Sequence, residues 1–179
     1  MDSIKFGVSN WEGYLPLPKL TMRTNSRNPL SDQTKTEVSG ILIPLIYDAT
    51  ELKSHVKLAH WNLRDKDFIA IHRLLDEVAA TVEKGIDEIA ERARQLGAVM
   101  DVTPTKVGER TKLKPFPSGL LSGTAACDGL SKSISATVEG LHECIENSAD
   151  AGDAISADIL TKISGELEVY LWLIESHMI

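Results

Sequence analysis

Apolar residues recur along residues 38–59 in alternating steps of four and three positions, which is the pattern of one buried helix face. The residues of this face are Val38, Leu42, Leu45, Ala49, Leu52, Val56 and Ala59. Ser31 or Asp32 is a suitable N-cap, so we predict that a first helix begins there and ends near His60. Pro44 lies inside this helix, where it should remove the hydrogen bond to Gly40 and kink the axis.

Three further segments carry apolar residues at helical spacing. We predict a second helix from about Asp67 to Leu96, which Gly97 is suited to end. A third helix is predicted over about residues 122–148 and a fourth over about residues 154–177, separated by the stretch "DAGD". The residues predicted to face the core are Phe68, Ile71, Leu75, Val78, Val82, Ile86, Ile89, Ala93 and Leu96, then Leu130, Ile134, Leu141 and Ile145, and finally Ile155, Ile159, Ile163, Leu167, Leu171 and Ile174.

This set of elements predicts an all-α fold. Few segments alternate with period two, so a sheet is not expected, and four long amphipathic helices indicate a four-helix bundle. Residues 98–119 make a connection between the second and third helices that is long enough to cross the bundle and to contain a short helix. Residues 1–31 show no sustained period and are predicted to form an extended arm, with the bundle domain over residues 32–179.

The composition fits one globular domain. The 179 residues are enough for one sizeable core, and 42% of them are apolar and 25% are charged. No apolar run approaches the roughly 20 residues that cross a bilayer, and the N-terminus lacks the apolar segment of a secretory signal, so no membrane partner is expected. Cys127 and Cys144 form no C-x-x-C pair and are expected to be reduced thiols in a cytoplasmic protein.

The charge is unevenly distributed along the chain. The net charge is −7, which argues against a general nucleic-acid binder. Residues 1–36 carry five basic and three acidic side chains, a net charge of +2, so the rest of the chain sums to −9. The sequence therefore has a weakly basic arm on an acidic body.

Candidate metal ligands lie on one row of the second predicted helix, beside its apolar face. His72 and Asp76 are four residues apart, as are Asp87 and Glu91, and this spacing lets two side chains converge on one ion. Imidazole together with carboxylates suits Fe(II), Mn(II) or Zn(II). His60, at the end of the first helix, would supply another imidazole beside His72.

The distance between the two pairs limits how they can act together. His72 and Asp87 are 15 residues apart, which is about 22 Å along a helix, whereas metal–ligand bonds measure only about 2.0–2.2 Å. One helix therefore cannot close a single site from both pairs. Either the chain holds two half-sites, or the second helix of another copy runs antiparallel and supplies the missing pair across a two-fold axis.

At these residues the sequence resembles the Dps family, small ferritin-like proteins named for DNA protection in starved cells. The resemblance rests on "HWNLRDKDFIAIHRLLDE" followed by "DEIAERARQLG", which places the five candidate ligands at spacings of 12, 4, 11 and 4. The loop "TKLKPFP" and the C-terminal "ADILTKISGELEVYLWLIESH" also fit the family, and the resemblance covers about residues 30–177.

The resemblance implies a ferroxidase and iron store. It implies a homododecameric shell with di-iron sites at two-fold interfaces, where His60, His72 and Asp76 come from one subunit and Asp87 and Glu91 from its neighbour. Such proteins oxidise Fe(II), preferably with hydrogen peroxide rather than dioxygen, and deposit ferric mineral inside the shell, which protects the cell from oxidative damage. Zinc or manganese suits the same ligands.

The sequence departs from the family at several positions. Asp65 stands where the family usually has a glycine, and it should alter the turn without removing a ligand.

Trp61 follows a ligand and could shield the site or quench radicals, whereas Trp172 is expected to pack in the protein. Acidic residues in the second half of the chain are candidates for pores, namely Glu139, Glu143, Glu146, Asp150, Asp153 and Asp158.

Two alternatives stay open. The first is a nucleoid-compacting DNA-binding protein of the same shell architecture, with iron oxidation secondary, although five basic residues spread over the first 36 positions make a weak phosphate-binding tail. The second is a di-iron protein with its site inside one subunit, which would call for two Glu-x-x-His motifs. The chain offers only Glu139–His142 at that spacing, which we interpret as a coincidence on the surface.

Overall fold

The first long helix, α1, spans Asp32–Asn62 in a computed structural model that describes residues 20–23 and 26–178. The Ser31 hydroxyl accepts a hydrogen bond from the Thr34 amide, so Ser31 is the N-cap. The helix continues through Pro44, and every residue of its predicted apolar face is buried. The kink expected at Pro44 stays a prediction.

The remaining helices follow the predicted order with boundaries within about two residues. They are α2 (Phe68–Leu96), α3 (Pro104–Arg110), α4 (Gly123–Asp150) and α5 (Ala154–Glu175). The short α3 lies in the long connection between α2 and α4, as predicted. Gly97 ends α2 with a φ of 102°, a left-handed conformation that favours glycine. No helix in the described part of the chain is long and apolar enough to span a membrane.

The four long helices form the bundle. α1 packs against α2 and α4, α5 packs against α4 and α2, and α3 lies against α1. One apolar core runs through the bundle and includes Leu42, Leu75, Ile89, Leu130 and Ile134, all at most 1% exposed. Because the fold has only two isolated β-bridges in its described residues, the all-α prediction is confirmed.

Two expectations about packing are wrong. Ile155, predicted to face the core, is 59% exposed, since it lies in the first turn of α5, beyond the end of the core. Trp172, expected to pack, is 63% exposed. Ile155 follows the apolar period of α5, but other helices of the chain cover that face only in part, whereas Trp172 lies off that face.

The end of the predicted arm is joined to the end of α2. The Arg23 amide donates to the Gly97 carbonyl, and the Val99 amide donates to the Thr21 carbonyl. Residues 1–19, 24 and 25 lie outside the described residues, so the arm and its boundary at residue 31 stay predictions.

Candidate metal centre

Three of the predicted ligands meet where the end of α1 lies beside the beginning of α2. The ligand atoms of His60, His72 and Asp76 lie within 4.8 Å of one another. His60 is buried, His72 is half-buried and Asp76 is exposed, so the group opens toward solvent on the carboxylate side. We call these three residues the three-ligand cluster.

The two imidazoles are fixed by reciprocal hydrogen bonds. His60 Nδ1 lies 3.1 Å from the His72 carbonyl oxygen, and His72 Nδ1 lies 3.2 Å from the His60 carbonyl oxygen. The rings stack with centroids 3.6 Å apart and an interplanar angle of 21°. Since a carbonyl oxygen can only accept, each Nδ1 carries the proton and each Nε2 is left with a free lone pair. Both histidines are thus in the tautomer that binds a metal through Nε2.

A lysine pairs with the carboxylate of the three-ligand cluster. Lys57 Nζ donates to Asp76 Oδ1 at 3.0 Å, and His60 Nδ1 lies 3.5 Å from the same oxygen. The hydrogen bond from Lys57, followed by the positive charges nearby, holds the pKa of Asp76 below its usual range. Asp76 is therefore an ionised ligand whose charge is partly neutralised by Lys57.

The turn between α1 and α2 is tied to the start of α4. The Leu121 amide donates to the Asn62 carbonyl, and the Arg64 amide donates to the Leu121 carbonyl. Asp65 Oδ1 accepts from the Lys66 amide at 2.6 Å, and Asp65 Oδ2 accepts from the Gly123 amide at 3.2 Å. These bonds, that from Lys66 first, lower the pKa of Asp65. Asp65 therefore stabilises the turn that connects α1, which carries His60, to α2, which carries His72.

The other predicted pair lies elsewhere on α2. Asp87 and Glu91, here called the distal acidic pair, are both exposed and belong to no ligand group of three within the described residues. Their separation from His72, about 22 Å along the helix, is as the sequence requires. Within one chain the structure brings three of the five predicted ligands together and leaves the distal acidic pair apart.

Trp61 lies next to the three-ligand cluster in sequence and is 71% exposed. Lys57 Nζ stands 5.9 Å from the centroid of its ring. This distance allows a cation–π contact. The indole therefore faces solvent in the single chain. It would cover the three-ligand cluster only if the surface of another molecule packed against it. Its predicted role in shielding the site or quenching radicals stays a prediction.

The described residues that line the space midway between α1, α2, α4 and α5 include no carboxylate or imidazole to bind an ion. A cavity of about 10 Å³ there, too small for a hydrated metal, is lined almost wholly by apolar residues. These are Leu45, Ala49, Val82, Gly85, Ile89, Leu141, Ile163 and Leu167, with Thr137 as the polar member. His142 points away from the core, since it is exposed and bonded to Glu168. Within the described residues the di-iron site inside one subunit therefore has no support.

The two cysteines take no part in metal binding. Cys127 and Cys144 are both free and buried, as expected of reduced thiols. Burial raises the pKa of Cys127 to about 11, and burial together with the nearby Glu143 carboxylate raises that of Cys144 to about 12. Both thiols stay protonated at neutral pH, so neither presents the thiolate that binds metals.

Comparison with known proteins gives a consistent picture. Residues 46–178 match the family model of the ferritin-like domain. The chain is 34% identical over 158 residues to the DNA protection during starvation protein of Agrobacterium fabrum, which covers 88% of this chain and 98% of that protein.

Two solved structures are similar along most of the chain. Dps of Mycobacterium smegmatis, in a tetragonal crystal form, matches with a TM-score of 0.82 and 26% identity, covering 87% of this chain and 94% of that one. Dps of Microbacterium arborescens, in its high iron form, matches with a TM-score of 0.78 and 27% identity, covering 83% of this chain and 96% of that one.

Proposed function

The chain belongs to the Dps family of ferritin-like proteins, and on this premise we propose that it is a ferroxidase that oxidises Fe(II) and stores the product as ferric mineral. Membership of the family supports iron storage and protection from oxidative damage as its general function. The ferroxidase activity, the preference for hydrogen peroxide over dioxygen and a cytoplasmic location are parts of the proposal.

One observation carries the proposal: the reciprocal bonding of His60 and His72 beside Asp76. It leaves two Nε2 lone pairs free beside an ionised carboxylate, a donor set that suits Fe(II), and also Zn(II) or Mn(II). The orientation is set by backbone carbonyls, so the ligands are held in place before the ion arrives. Three ligands are nevertheless too few for a pair of irons.

We propose that the distal acidic pair of another copy completes the site. Asp87 and Glu91 are exposed on α2, about 22 Å from the three-ligand cluster, so an antiparallel α2 of a second copy would bring them to it. Such a two-fold contact makes two equivalent sites per dimer. Six such dimers would form the shell of twelve that the resemblance implies, with mineral inside.

The residues of this shared site would hold two Fe(II) ions as substrate. Each iron loses one electron, and one molecule of hydrogen peroxide takes both electrons with two protons to give two molecules of water. Passing both electrons to one peroxide avoids the one-electron cleavage that releases hydroxyl radical. The chain's part is to bind and orient the ions, through imidazoles whose Nδ1 atoms are bonded to backbone carbonyls.

The proposal is tested by loading the protein with Fe(II) without oxygen and then adding peroxide. Ferric absorbance should rise quickly in the wild type and slowly in the variant that carries His72→Ala and Asp76→Ala, because two of the five proposed ligands are gone. The same assay with oxygen in place of peroxide compares the oxidants. Oxidation at the wild-type rate in the double variant would refute the assignment of the site.

DNA compaction is the second candidate. The DNA protection protein of Agrobacterium fabrum bears that name, and the basic arm of this chain carries a net charge of +2. The acidic body opposes binding to phosphates. A gel-shift assay at physiological salt should leave plasmid DNA unretarded, and strong retardation would make compaction the favoured function.

A further inference from the structure

A third ring packs against the imidazoles of the three-ligand cluster. Phe68, the first residue of α2, precedes His72 by four positions, and their ring centroids are 4.7 Å apart with an interplanar angle of 30°. The His60 ring stacks on the same imidazole at 3.6 Å. We propose that Phe68 is a positioning residue of the metal centre, which holds the His72 ring in the orientation that its hydrogen bond to the His60 carbonyl selects. This inference rests on the proposed function, because a positioning residue requires a metal to be bound.

The Phe68 ring is itself held by the fold. The sequence predicts that Phe68 faces the core, and its half-buried side chain packs against the apolar core of the bundle. At the backbone, the Phe68 amide donates to the Asp65 carbonyl at 3.2 Å, which joins the start of α2 to the turn before it. Positions four apart on a helix lie on the same face, so the anchored ring of Phe68 supports the side chain of His72.

The imidazole of His72 depends on packing as well as on its hydrogen bond. The χ2 torsion of a histidine is broad and roughly two-fold, so the torsion alone does not fix the ring. The hydrogen bond from His72 Nδ1 to the His60 carbonyl is 3.2 Å long, at the upper end of the usual range for N–H···O. His72 is only half-buried, so the protein does not enclose its side chain. The contact with Phe68 therefore adds a restraint that the torsion, the hydrogen bond and burial do not supply in full.

The size of the effect follows from the strength of an aromatic pair. Such a pair shifts an equilibrium constant by about two- to tenfold. The apparent affinity for a metal scales with the fraction of the protein whose ligands are already in the orientation that binds. His60 is buried with 8% of its surface exposed, so its own surroundings confine it. The loss of the Phe68 ring should therefore act through His72 and weaken metal binding by about two- to tenfold.

Zinc titration of the whole protein tests the proposal. Phe68→Leu and Phe68→Met both keep an apolar side chain and remove the ring, so the zinc affinity of the three-ligand cluster should fall about two- to tenfold in each. Calorimetry, compared with the same titration of the His72→Ala and Asp76→Ala variant, measures the binding that belongs to this cluster. Phe68→Tyr keeps the ring and should bind zinc with the affinity of the wild type.

Phe116→Leu is the matched control. The Phe116 ring packs on that of His55, with centroids 5.1 Å apart and an interplanar angle of 33°, but His55 belongs to no ligand group among the described residues. Both phenylalanines are half-buried, so their replacement by leucine should cost similar stability, and only the change at Phe68 should weaken zinc binding. Oxidation kinetics give a second readout: in Phe68→Leu the KM for Fe(II) should rise with kcat unchanged, because the ring acts on binding.

The possible results separate the positioning role from the proposed function. Equal zinc affinity in Phe68→Leu, Phe68→Met and the wild type would overturn the positioning role, and so would an equal loss of affinity in Phe116→Leu or in Phe68→Tyr. The absence of zinc binding at the three-ligand cluster of the wild type would overturn both the positioning role and the proposed site. Because zinc is not oxidised, a failed ferroxidase assay with zinc binding intact would refute only the proposed reaction.

Discussion

At the scale of single residues, the three-ligand cluster is organised by the backbone of its own two helices. Each histidine donates from Nδ1 to the carbonyl of the other, so folding α1 against α2 also sets the tautomers. Removing either histidine therefore takes away one ligand and also one hydrogen bond that orients the backbone near the other. Lys57 is the one cation that a metal must displace from Asp76 in the described structure.

Replacing this lysine should strengthen metal binding. Lys57→Met keeps most of the aliphatic chain and removes the ammonium from Asp76, so zinc affinity at the three-ligand cluster should rise about two- to fivefold, the range of an exposed ion pair. Calorimetric titration with zinc, compared with the same titration of the His72→Ala and Asp76→Ala variant, measures the affinity of this cluster. Lys53→Met is the matched control because Lys53 also joins α1 to α2, but through Glu83. Equal effects of the two substitutions would contradict the role of Lys57.

The sequence predicts the ligands better than their surroundings. The spacing of His72 and Asp76 on one helix, with His60 at the end of the helix before, was enough to predict which side chains meet. Lys57 was missed, although it lies three residues before His60 and so on the same side of α1. The bond between Asp65 and the Gly123 amide could not be predicted, because it joins positions 58 residues apart.

At the scale of helices, a buried ion pair joins the end of α2 to the beginning of α5. Arg92 Nη2 donates to both carboxylate oxygens of Asp153 at 2.7 and 2.8 Å, and Arg92 Nε donates to Ser156 Oγ. Asp153 also caps α5 by accepting from the Ser156 amide. Asp153 is 1% exposed, so its proposal as a pore residue is wrong. Its acidity serves to pair with Arg92.

Breaking this pair should destabilise the protein strongly. Asp153→Asn leaves the guanidinium of Arg92 buried without a counter-charge and should lower the free energy of unfolding by about 3–5 kcal/mol. Chemical denaturation of the two proteins at one protein concentration measures this difference in the free energy of unfolding. Asp128→Asn, which breaks an exposed pair with Lys132, should cost less than about 1 kcal/mol. A similar small loss for both variants would show that the buried pair contributes little.

The same pair should make stability depend on pH. Burial raises the pKa of Asp153, but the hydrogen bonds from Arg92 and Ser156 together outweigh it and hold the pKa below its usual value. The ionised carboxylate therefore contributes fully to stability above the pKa of Asp153 in the unfolded chain, about 4. This contribution is lost as the pH falls through the lower pKa of Asp153 in the folded protein. The difference in the free energy of unfolding between wild type and Asp153→Asn should be constant near neutral pH and should decrease on acidification. A difference that increases on acidification would contradict the lowered pKa of Asp153.

Two glycines should respond to alanine with opposite signs. Gly97 has a φ of 102°, and a Cβ there would lie 3.4 Å from the Arg23 carbonyl oxygen, so Gly97→Ala should lower stability by about 1–2 kcal/mol. Gly165 lies within α5 with open space around it, so Gly165→Ala should raise stability by about 0.5–1 kcal/mol. Thermal unfolding of both variants measures these changes. Destabilisation by Gly165→Ala would contradict the prediction for Gly165, and an unchanged stability in Gly97→Ala would contradict that for Gly97.

Helix positions were largely predictable because the apolar period of each segment is long and its caps are clear. Ser31 and Gly97 mark their helix ends in the sequence as they do in the structure. The error at Ile155 comes from how far packing extends along α5, whereas Trp172 lies outside the apolar period altogether. The apolar period identifies a face of α5, but how far along that face a neighbour extends depends on packing that the period does not contain.

At the scale of the whole molecule, the single chain does not bring its five predicted ligands together. Its three-ligand cluster and distal acidic pair are each exposed to solvent in part, and they are too far apart to meet. Exposed Trp61 and Trp172 add apolar surface that another copy could cover. Neither the sequence period nor one chain's structure can determine the number of copies, so the shell rests on the resemblance.

The proposed assembly has a definite mass. Twelve copies of 19.6 kDa make a particle of about 235 kDa, which light scattering after gel filtration should detect. The particle should persist in the His72→Ala and Asp76→Ala variant, because contacts between subunits outside the metal site would hold the shell together. A stable monomer at micromolar concentration would reject the shared site.

The central claim, that one site draws ligands from two copies, is tested most directly by complementation. One variant carries His72→Ala with Asp76→Ala, and the other carries Asp87→Asn with Glu91→Gln. Each alone should oxidise Fe(II) slowly. In a co-expressed equal mixture, half of the two-fold pairs are mixed and each mixed pair regains one intact site, so the rate should return to about a quarter of wild type. A mixture no faster than the two variants alone would contradict the claim.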